Sequence, residues 1–245
     1  MKEWIYGRNA VYETLLADRR HVYRIKLAQG VQPSPKLQEV LALARTKKLA
    51  FEEVPRAELD GISEGHQGVV LQADEYPYAY LGELLERAQK ASNPPFFLLL
   101  DTLQDPQNLG TLLRSAEAVS VHGVILPQRR SATVTPSVVS SSSGASEHLL
   151  IAQHNLAQAI AELKKANIWV IGLEGGEGAQ PLGQLRLDGP IALVVGSEGE
   201  GMRRLVRESC DALLRLPMRG QVESLNAAVA GSIALYMVWQ ARGFA

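Results

Sequence analysis

From Phe96 to the C-terminus, short apolar runs alternate with segments whose apolar residues recur at helical spacing. This pattern restricts the fold more than any other feature of the chain. Phe96–Leu103 reads as a strand covered on both faces, since a strand open to water on one side would alternate apolar and polar residues. Gly123–Leu126, Ile168–Leu173, Ile191–Val195 and Ala212–Leu216 repeat the signal in shorter form. Between them, Leu109–Val119 places Leu109, Leu112, Leu113, Ala116 and Val119 on one helical face. Leu156–Ala166 and Met202–Glu208 read as further helices, and Ser224–Gln240 as a long final one. Alternation of this kind predicts an α/β fold, with a mostly parallel sheet and helices on both faces.

The preceding residues are organised differently. Gly7–Ala17 and Pro35–Lys48 read as helices, and Val22–Ala28 and Val69–Ala73 as strands. We read residues 1–75 as a small α/β domain. Residues 76–95 form a linker holding one short helix and ending in Ser92-Asn93-Pro94-Pro95, and 96–245 form the larger domain. Arg129–Gly144 reads as a polar loop after a strand's carboxyl end, with Ser140–Gly144 its most flexible part. Ligand sites in such folds gather at those ends, so it is a candidate for facing a substrate.

Composition narrows the function. Apolar residues make up 46% of the 245 and the net charge is −1, so a nucleic-acid site would have to be local rather than a global attraction. The local candidates are Arg19-Arg20, Lys47-Lys48, Arg129-Arg130 and Arg203-Arg204 with Arg207. The single cysteine, Cys210, rules out an internal disulfide and any CxxC metal pair, and we read it as a small core residue. The N-terminus lacks an apolar signal region and no apolar run is long enough to span a bilayer, so a cytoplasmic protein is expected. GxGxxG, GxxxxGK[ST], HExxH and GxSxG are absent, and the histidines show no metal-ligand spacing.

Three segments carry candidate chemistry. In the first, Asp105-Pro106-Gln107-Asn108-Leu109-Gly110 turns a strand into a helix that bears Arg114; Asn108 is placed to cap it, and Arg114 to hold a phosphate through paired hydrogen bonds. In the second, Gly196-Ser197-Glu198-Gly199-Glu200-Gly201-Met202 follows an apolar strand, and its glycines let a ligand approach the backbone. The third runs from Leu216-Pro217-Met218-Arg219-Gly220 to Ser224-Leu225-Asn226, where Ser224 is placed to cap the last helix.

Taken together, these segments resemble the signature of the SpoU (TrmH-type) RNA 2′-O-ribose methyltransferase family. The matching residues are Asn108-x-Gly110-x-x-x-Arg114-x-Ala116, then Gly196-Ser197-Glu198-Gly199-x-Gly201-Met202, then Pro217-Met218-x-Gly220-x-x-x-Ser224-Leu225-Asn226. Gly7-Arg8-Asn9-Ala10-Val11 and His66-Gln67-Gly68-Val69 resemble the substrate-binding domain, similar to ribosomal protein L30e, of the 23S rRNA guanosine 2′-O-methyltransferase group. Two departures are small-for-small: Ser115 stands where the family often has threonine, and Ala227-Ala228 where a serine is common.

The resemblance implies a C-terminal deep trefoil knot, S-adenosyl-L-methionine as cofactor, no metal, a homodimer and an RNA partner. It implies cofactor contacts at Gly196, Leu216, Met218 and Leu225, substrate contacts at Arg8, Asn9, His66 and Gln67, and a catalytic set of Asn108, Arg114, Glu198, Ser224 and Asn226. Within that set Arg114 is held to be the base for the ribose hydroxyl. A guanidinium holds its proton at neutral pH, which makes it better suited to orient the oxygen and stabilise its developing charge. The implied substrate is a guanosine of 23S rRNA; the alternatives are the same chemistry on tRNA or another rRNA nucleotide, and a non-catalytic ribosome-assembly factor.

Overall fold

The structure is a computed structural model that describes residues 1–176, 178–181, 183–197, 199–221 and 224–244. In chain order the elements are β1 (Lys2–Tyr6), α1 (Arg8–Ala17), β2 (Val22–Ala28), α2 (Pro35–Thr46), β3 (Phe51–Val54), α3 (Arg56–Asp60), β4 (Val69–Asp74) and α4 (Leu81–Lys90). Next come β5 (Phe96–Leu100), α5 (Pro106–Ala118), β6 (Gly123–Leu126), α6 (Pro136–Ser141), β7 (Ile151–Gln153), α7 (Leu156–Lys165) and β8 (Trp169–Leu173). The last are β9 (Gln180–Pro181), β10 (Ile191–Val195), α8 (Arg204–Ser209), β11 (Ala212–Arg215) and α9 (Ala227–Ala241). The chain divides into two compact units, one of Met1–Pro77 with Val134–His148, the other of Tyr78–Thr133 with Leu149–Ala245.

The first unit is built on a mixed sheet with strand order β1-β4-β2-β3. Pairing is antiparallel for β1–β4 and β2–β4, and parallel for β2–β3. Alternation sorts Ile5, Ile25, Leu71 and Ala73 into the core. Ser34 starts α2 by accepting from the Leu37 N–H at 3.1 Å, with Pro35 supplying a preset backbone angle at the first helical position.

Residues 134–148 belong to this unit through charge as well as packing. The Arg20 side chain is fully buried and donates to four oxygens on three residues. Nε and Nη2 donate to the two Glu147 oxygens at 2.9 and 2.7 Å, while Nη1 reaches Glu3 Oε2 at 2.9 Å and the Asp74 carbonyl at 3.1 Å. Burial raises the pKa of Glu147, against the pull of Arg20, and pushes the Tyr76 hydroxyl beside them up to about 12.

In the second unit, seven strands among the described residues run parallel in the order β7-β6-β5-β10-β8-β11-β9. The central pair β5 and β10 is buried along its whole length, as unbroken apolar runs require. Phe97, Leu99, Val170, Ala192 and Val194 pack with α4, α7 and α8. Helices α5 and α9 pack together beside β10. Gly231 lets them close up: a Cβ there would lie 2.5 Å from Leu112 Cδ2 and 3.2 Å from Val195 Cγ2.

Several expectations need correction. The first long strand ends at Leu100, not Leu103, because Thr102 takes a left-handed backbone (φ 58) that breaks the extended run. Helix α5 starts at Pro106, three residues early, because Asp105 rather than Asn108 caps it by accepting from the Gln107 N–H at 3.0 Å. Asn226, not Ser224, caps α9, accepting from the Ala228 and Val229 N–H groups at 2.9 and 3.1 Å. Ser140–Gly144, read as the most flexible part of a loop, includes the end of α6 and the turn after it, with Ser142 fully buried. Strands β1, β3, β7 and β9 lacked a readable signal, being short or charge-rich sheet-edge segments that tertiary pairing fixes.

Glu147→Ala would leave Arg20 charged and buried without its main partner, and should cost about 3–5 kcal/mol. Urea unfolding followed by circular dichroism tests this: a loss below about 1 kcal/mol would show that the pair does not hold residues 134–148 in place.

Candidate active site

The site lies at the carboxyl ends of adjacent parallel strands, where the chain leaves β5, β8, β10 and β11. Register sets Val195 of β10 beside both Leu100 of β5 and Leu173 of β8, and Leu214 of β11 beside Leu173. The segments leaving these strands therefore start close together.

After β10, Gly196 is buried and crowded by backbone. A Cβ there would lie 2.3 Å from the Gly201 carbonyl carbon, 2.4 Å from Met202 N and 2.5 Å from Gly201 O, so only glycine fits. Ser197 and Gly201 exchange two backbone hydrogen bonds, at 3.0 and 3.1 Å, closing a tight loop whose turn needs positive φ at Gly199 and Gly201. Glu198 lies outside the described residues. Beyond the loop, Asp101, buried at the end of β5, grips Arg203. Its Oδ2 accepts from the Arg203 backbone N–H and its Oδ1 from Nε, both at 2.8 Å.

From the third segment, Leu216, Met218, Ser224, Leu225 and Asn226 line, together with Gly196 of the loop and Glu174 among others, a cavity of about 730 Å³. This volume suits a ligand of drug size, for which pockets of about 300–1,000 Å³ are usual. Met218 and Leu225 line it while staying 43% and 38% exposed, so apolar side chains stand at its open side. Asn226, also in the lining, donates from Nδ2 to Asn108 Oδ1 at 3.1 Å. That bond ties α5 to the start of α9, and Ser115 and Ser232 join the same helices through a 2.8 Å hydroxyl contact.

The structure thus brings Gly196, Leu216, Met218, Ser224, Leu225 and Asn226 to one cavity, with Asn108 bonded to its rim. Arg114 is exposed on α5, two turns from its start and outside the cavity lining. In the first unit, Arg8 and Gln67 are bonded to each other: Arg8 N–H donates to Gln67 Oε1 at 3.1 Å and Arg8 Nε to the Gln67 carbonyl at 3.0 Å. Asn9 is exposed beside them. His66 is fully buried; its Nδ1 accepts from the Gly68 N–H at 2.7 Å and its Nε2 faces Asp60 at 2.9 Å.

Sequence reasoning missed two acidic residues here, Asp101 and Glu174. Glu174 Oε1 accepts from Arg207 Nε at 2.8 Å, and that bond raises the Arg207 pKa. Each acid directly follows an apolar strand, a signal that was present but unread. Burial pushes the Cys210 thiol up to about 12, away from the low values of reactive thiolates. Among the described residues, no group of His, Cys, Asp and Glu could hold a metal ion, and no helix is long and apolar enough to cross a membrane.

Comparison with known proteins agrees with this geometry. Residues 95–236 match the model of the SpoU rRNA methylase family, and residues 4–79 that of the RNA 2′-O ribose methyltransferase substrate-binding domain. The chain is 42% identical over 242 residues to YacO of Bacillus subtilis, named as a TrmH family tRNA/rRNA methyltransferase; the match covers 98% of this chain and 96% of that one. It is also 42% identical to the 23S rRNA (guanosine-2′-O-)-methyltransferase RlmB of Pseudomonas putida, covering 96% and 94%. Among solved structures, the SpoU methyltransferase AviRb of Streptomyces viridochromogenes superposes with a TM-score of 0.79 at 24% identity, covering 99% of this chain and 90% of that one. AviRb has also been solved with AdoMet, at a TM-score of 0.78 and 22% identity, covering 100% and 92%.

Gly196→Ala should displace the loop through Met202 and cost about 1–3 kcal/mol through overpacking against rigid backbone. Chemical denaturation compared with the wild type checks this; an unchanged midpoint would mean that the loop is not held as described.

Proposed function

Because the chain belongs to the SpoU rRNA methylase family, we propose that it transfers a methyl group from S-adenosyl-L-methionine to a ribose 2′-oxygen of RNA, with a guanosine of 23S rRNA as the substrate. The observation that carries this reading is the cavity built by the glycine loop and the segment Leu216–Asn226. Its glycine cradle lets a nucleoside approach the backbone, and its volume suits such a ligand. The rRNA assignment draws on the named activity of the P. putida relative and on the substrate-binding match over residues 4–79.

In this reading Gly196, Leu216, Met218 and Leu225 hold the cofactor, the leucines packing on the adenosine. When bound, S-adenosyl-L-methionine supplies an electrophilic methyl group on a sulfonium. Asn108 and Asn226 fix one another, and with Ser224 and Glu198 they position the ribose and Arg114. The Arg114 guanidinium orients the 2′-oxygen and stabilises the negative charge it gains as its proton passes to solvent water and the methyl group moves from sulfur to oxygen. Arg8, Asn9 and Gln67 contact RNA, while buried His66 holds the turn that presents Gln67.

The same reading places the protein in the cytoplasm as a homodimer. The face of α9 carrying Val229, Ile233 and Tyr236, each more than 40% exposed, supports a second copy there. Residues 1–75 are taken as an L30e-like RNA-binding domain and 76–95 as the linker. The C-terminal part of the parallel sheet is taken as tied in a deep trefoil knot.

Two measurements test the proposal. Mapping 2′-O-methylation of 23S rRNA and tRNA in cells with and without the gene should show one guanosine of 23S rRNA that loses its methyl group; loss at a tRNA site instead would move the substrate, and no loss would overturn the activity. Arg114→Lys should lower the methyl-transfer rate by about 10²–10³-fold, with cofactor affinity by calorimetry within about twofold of wild type. Full retained activity would remove Arg114 from the mechanism.

A further inference from the structure

Glu174 stands apart from the motif residues and yet lines the same cavity. It is the first residue beyond β8, its backbone fixed by an N–H bond to the Leu214 carbonyl at 3.0 Å. Register places it between Gly196 on the β10 side and Arg215 on the β11 side, since Leu173 pairs with both Val195 and Leu214. The next two residues, Gly175 and Gly176, also line the cavity, and among the described residues an added Cβ at either would meet nothing within 4 Å. The side chain of Glu174 is 26% exposed.

Its orientation is fixed. Oε1 accepts from Arg207 Nε at 2.8 Å, and Arg207 stands on α8, outside the cavity lining. A carboxylate held at one oxygen by an arginine loses little side-chain freedom when its remaining lone pairs receive new donors. A nucleoside offers two such donors side by side, its 2′- and 3′-hydroxyls. A carboxylate at a strand's carboxyl end is a general solution for gripping that diol in α/β folds. The adenine and the methionine portion, by contrast, offer no neighbouring pair of hydroxyl donors.

We propose that Glu174, fixed by Arg207, accepts hydrogen bonds from the ribose hydroxyls of the S-adenosyl cofactor and so selects a ribonucleoside ligand over its deoxy form. This rests on the cofactor assignment above. It adds a specificity-determining residue, Glu174, and a positioning residue, Arg207, to a site whose motif residues supply mainly backbone and apolar contacts.

The test is calorimetric titration of the full-length protein with S-adenosylhomocysteine, with its 2′-deoxy and 3′-deoxy forms, and with S-adenosylmethionine. Wild type should bind S-adenosylhomocysteine about 10- to 100-fold more tightly than a deoxy form, the range expected for a hydrogen bond to a charged group. Glu174→Gln should weaken S-adenosylhomocysteine and erase most of that preference, and Arg207→Ala should reduce the preference in part. Wild type without any preference, or Glu174→Gln with the full preference, overturns the proposal. The wild-type arm decides even if the variant fails to fold. A loss on Glu174→Gln confined to S-adenosylmethionine, with neutral S-adenosylhomocysteine unaffected, would place the carboxylate against the sulfonium and also overturn it. If wild type binds none of these ligands, the cofactor assignment itself fails, and this inference with it.

Discussion

The buried carboxylate of Asp101 joins two ends of the site that are far apart in sequence. It sits where β5 stops, its own N–H bonded to the Val195 carbonyl at 2.8 Å, and it holds Arg203 by backbone and side chain at once. Between Val195 and Arg203 lies the glycine loop. Both ends of that loop are therefore anchored at the end of β5: its entrance by the sheet, its exit by an ion pair whose acid is fully buried and whose arginine is about half exposed. A loop of small residues would otherwise have many conformations to lose on binding a ligand. Anchoring both ends leaves it little to lose.

The same economy recurs across the cavity. Asn226 uses its oxygen to cap α9 and its amide nitrogen to reach Asn108. Cap and site are thus one side chain, and a change there disturbs both. Helix α5 depends on this as well. Because Asp105 caps it, Asn108 is released from that task and its carbonyl oxygen is available to Asn226. Gly231 sets the closeness of α5 and α9, so the packing that builds the core also positions the rim.

Much of this was legible in the chain. The parallel sheet followed from unbroken apolar runs such as Phe96–Leu100 and Ile191–Val195, and most helices from their stripes. Each of the three motif segments leaves the carboxyl end of a strand; residues of the second and third line one cavity, Asn108 of the first is bonded to its rim, and Arg114 stands outside its lining. The helix starts were misread because Asp, Asn and Ser all cap well, and adjacent candidates such as Asp105 and Asn108 differ only in what else is near them. Glu174 and Asp101 escaped notice because a single acid after a strand is ordinary until its partner is known. Those partners, Arg207 and Arg203, lie 33 and 102 residues away.

By itself the sequence determined the fold class, the family and the identity of the residues at strand ends, because hydrophobic periodicity and motif spacing are local and survive without coordinates. Tertiary structure decided the pairings. Only the fold could show that a Cβ added at Gly196 would lie within 2.5 Å of the Gly201–Met202 backbone, leaving no space for one. The same holds for residues 134–148, whose part up to Gly144 read as a polar loop and whose Glu147 is drawn inward by Arg20. Steric exclusion and charge pairing act between residues distant in the chain, and the order of residues carries no measure of that distance.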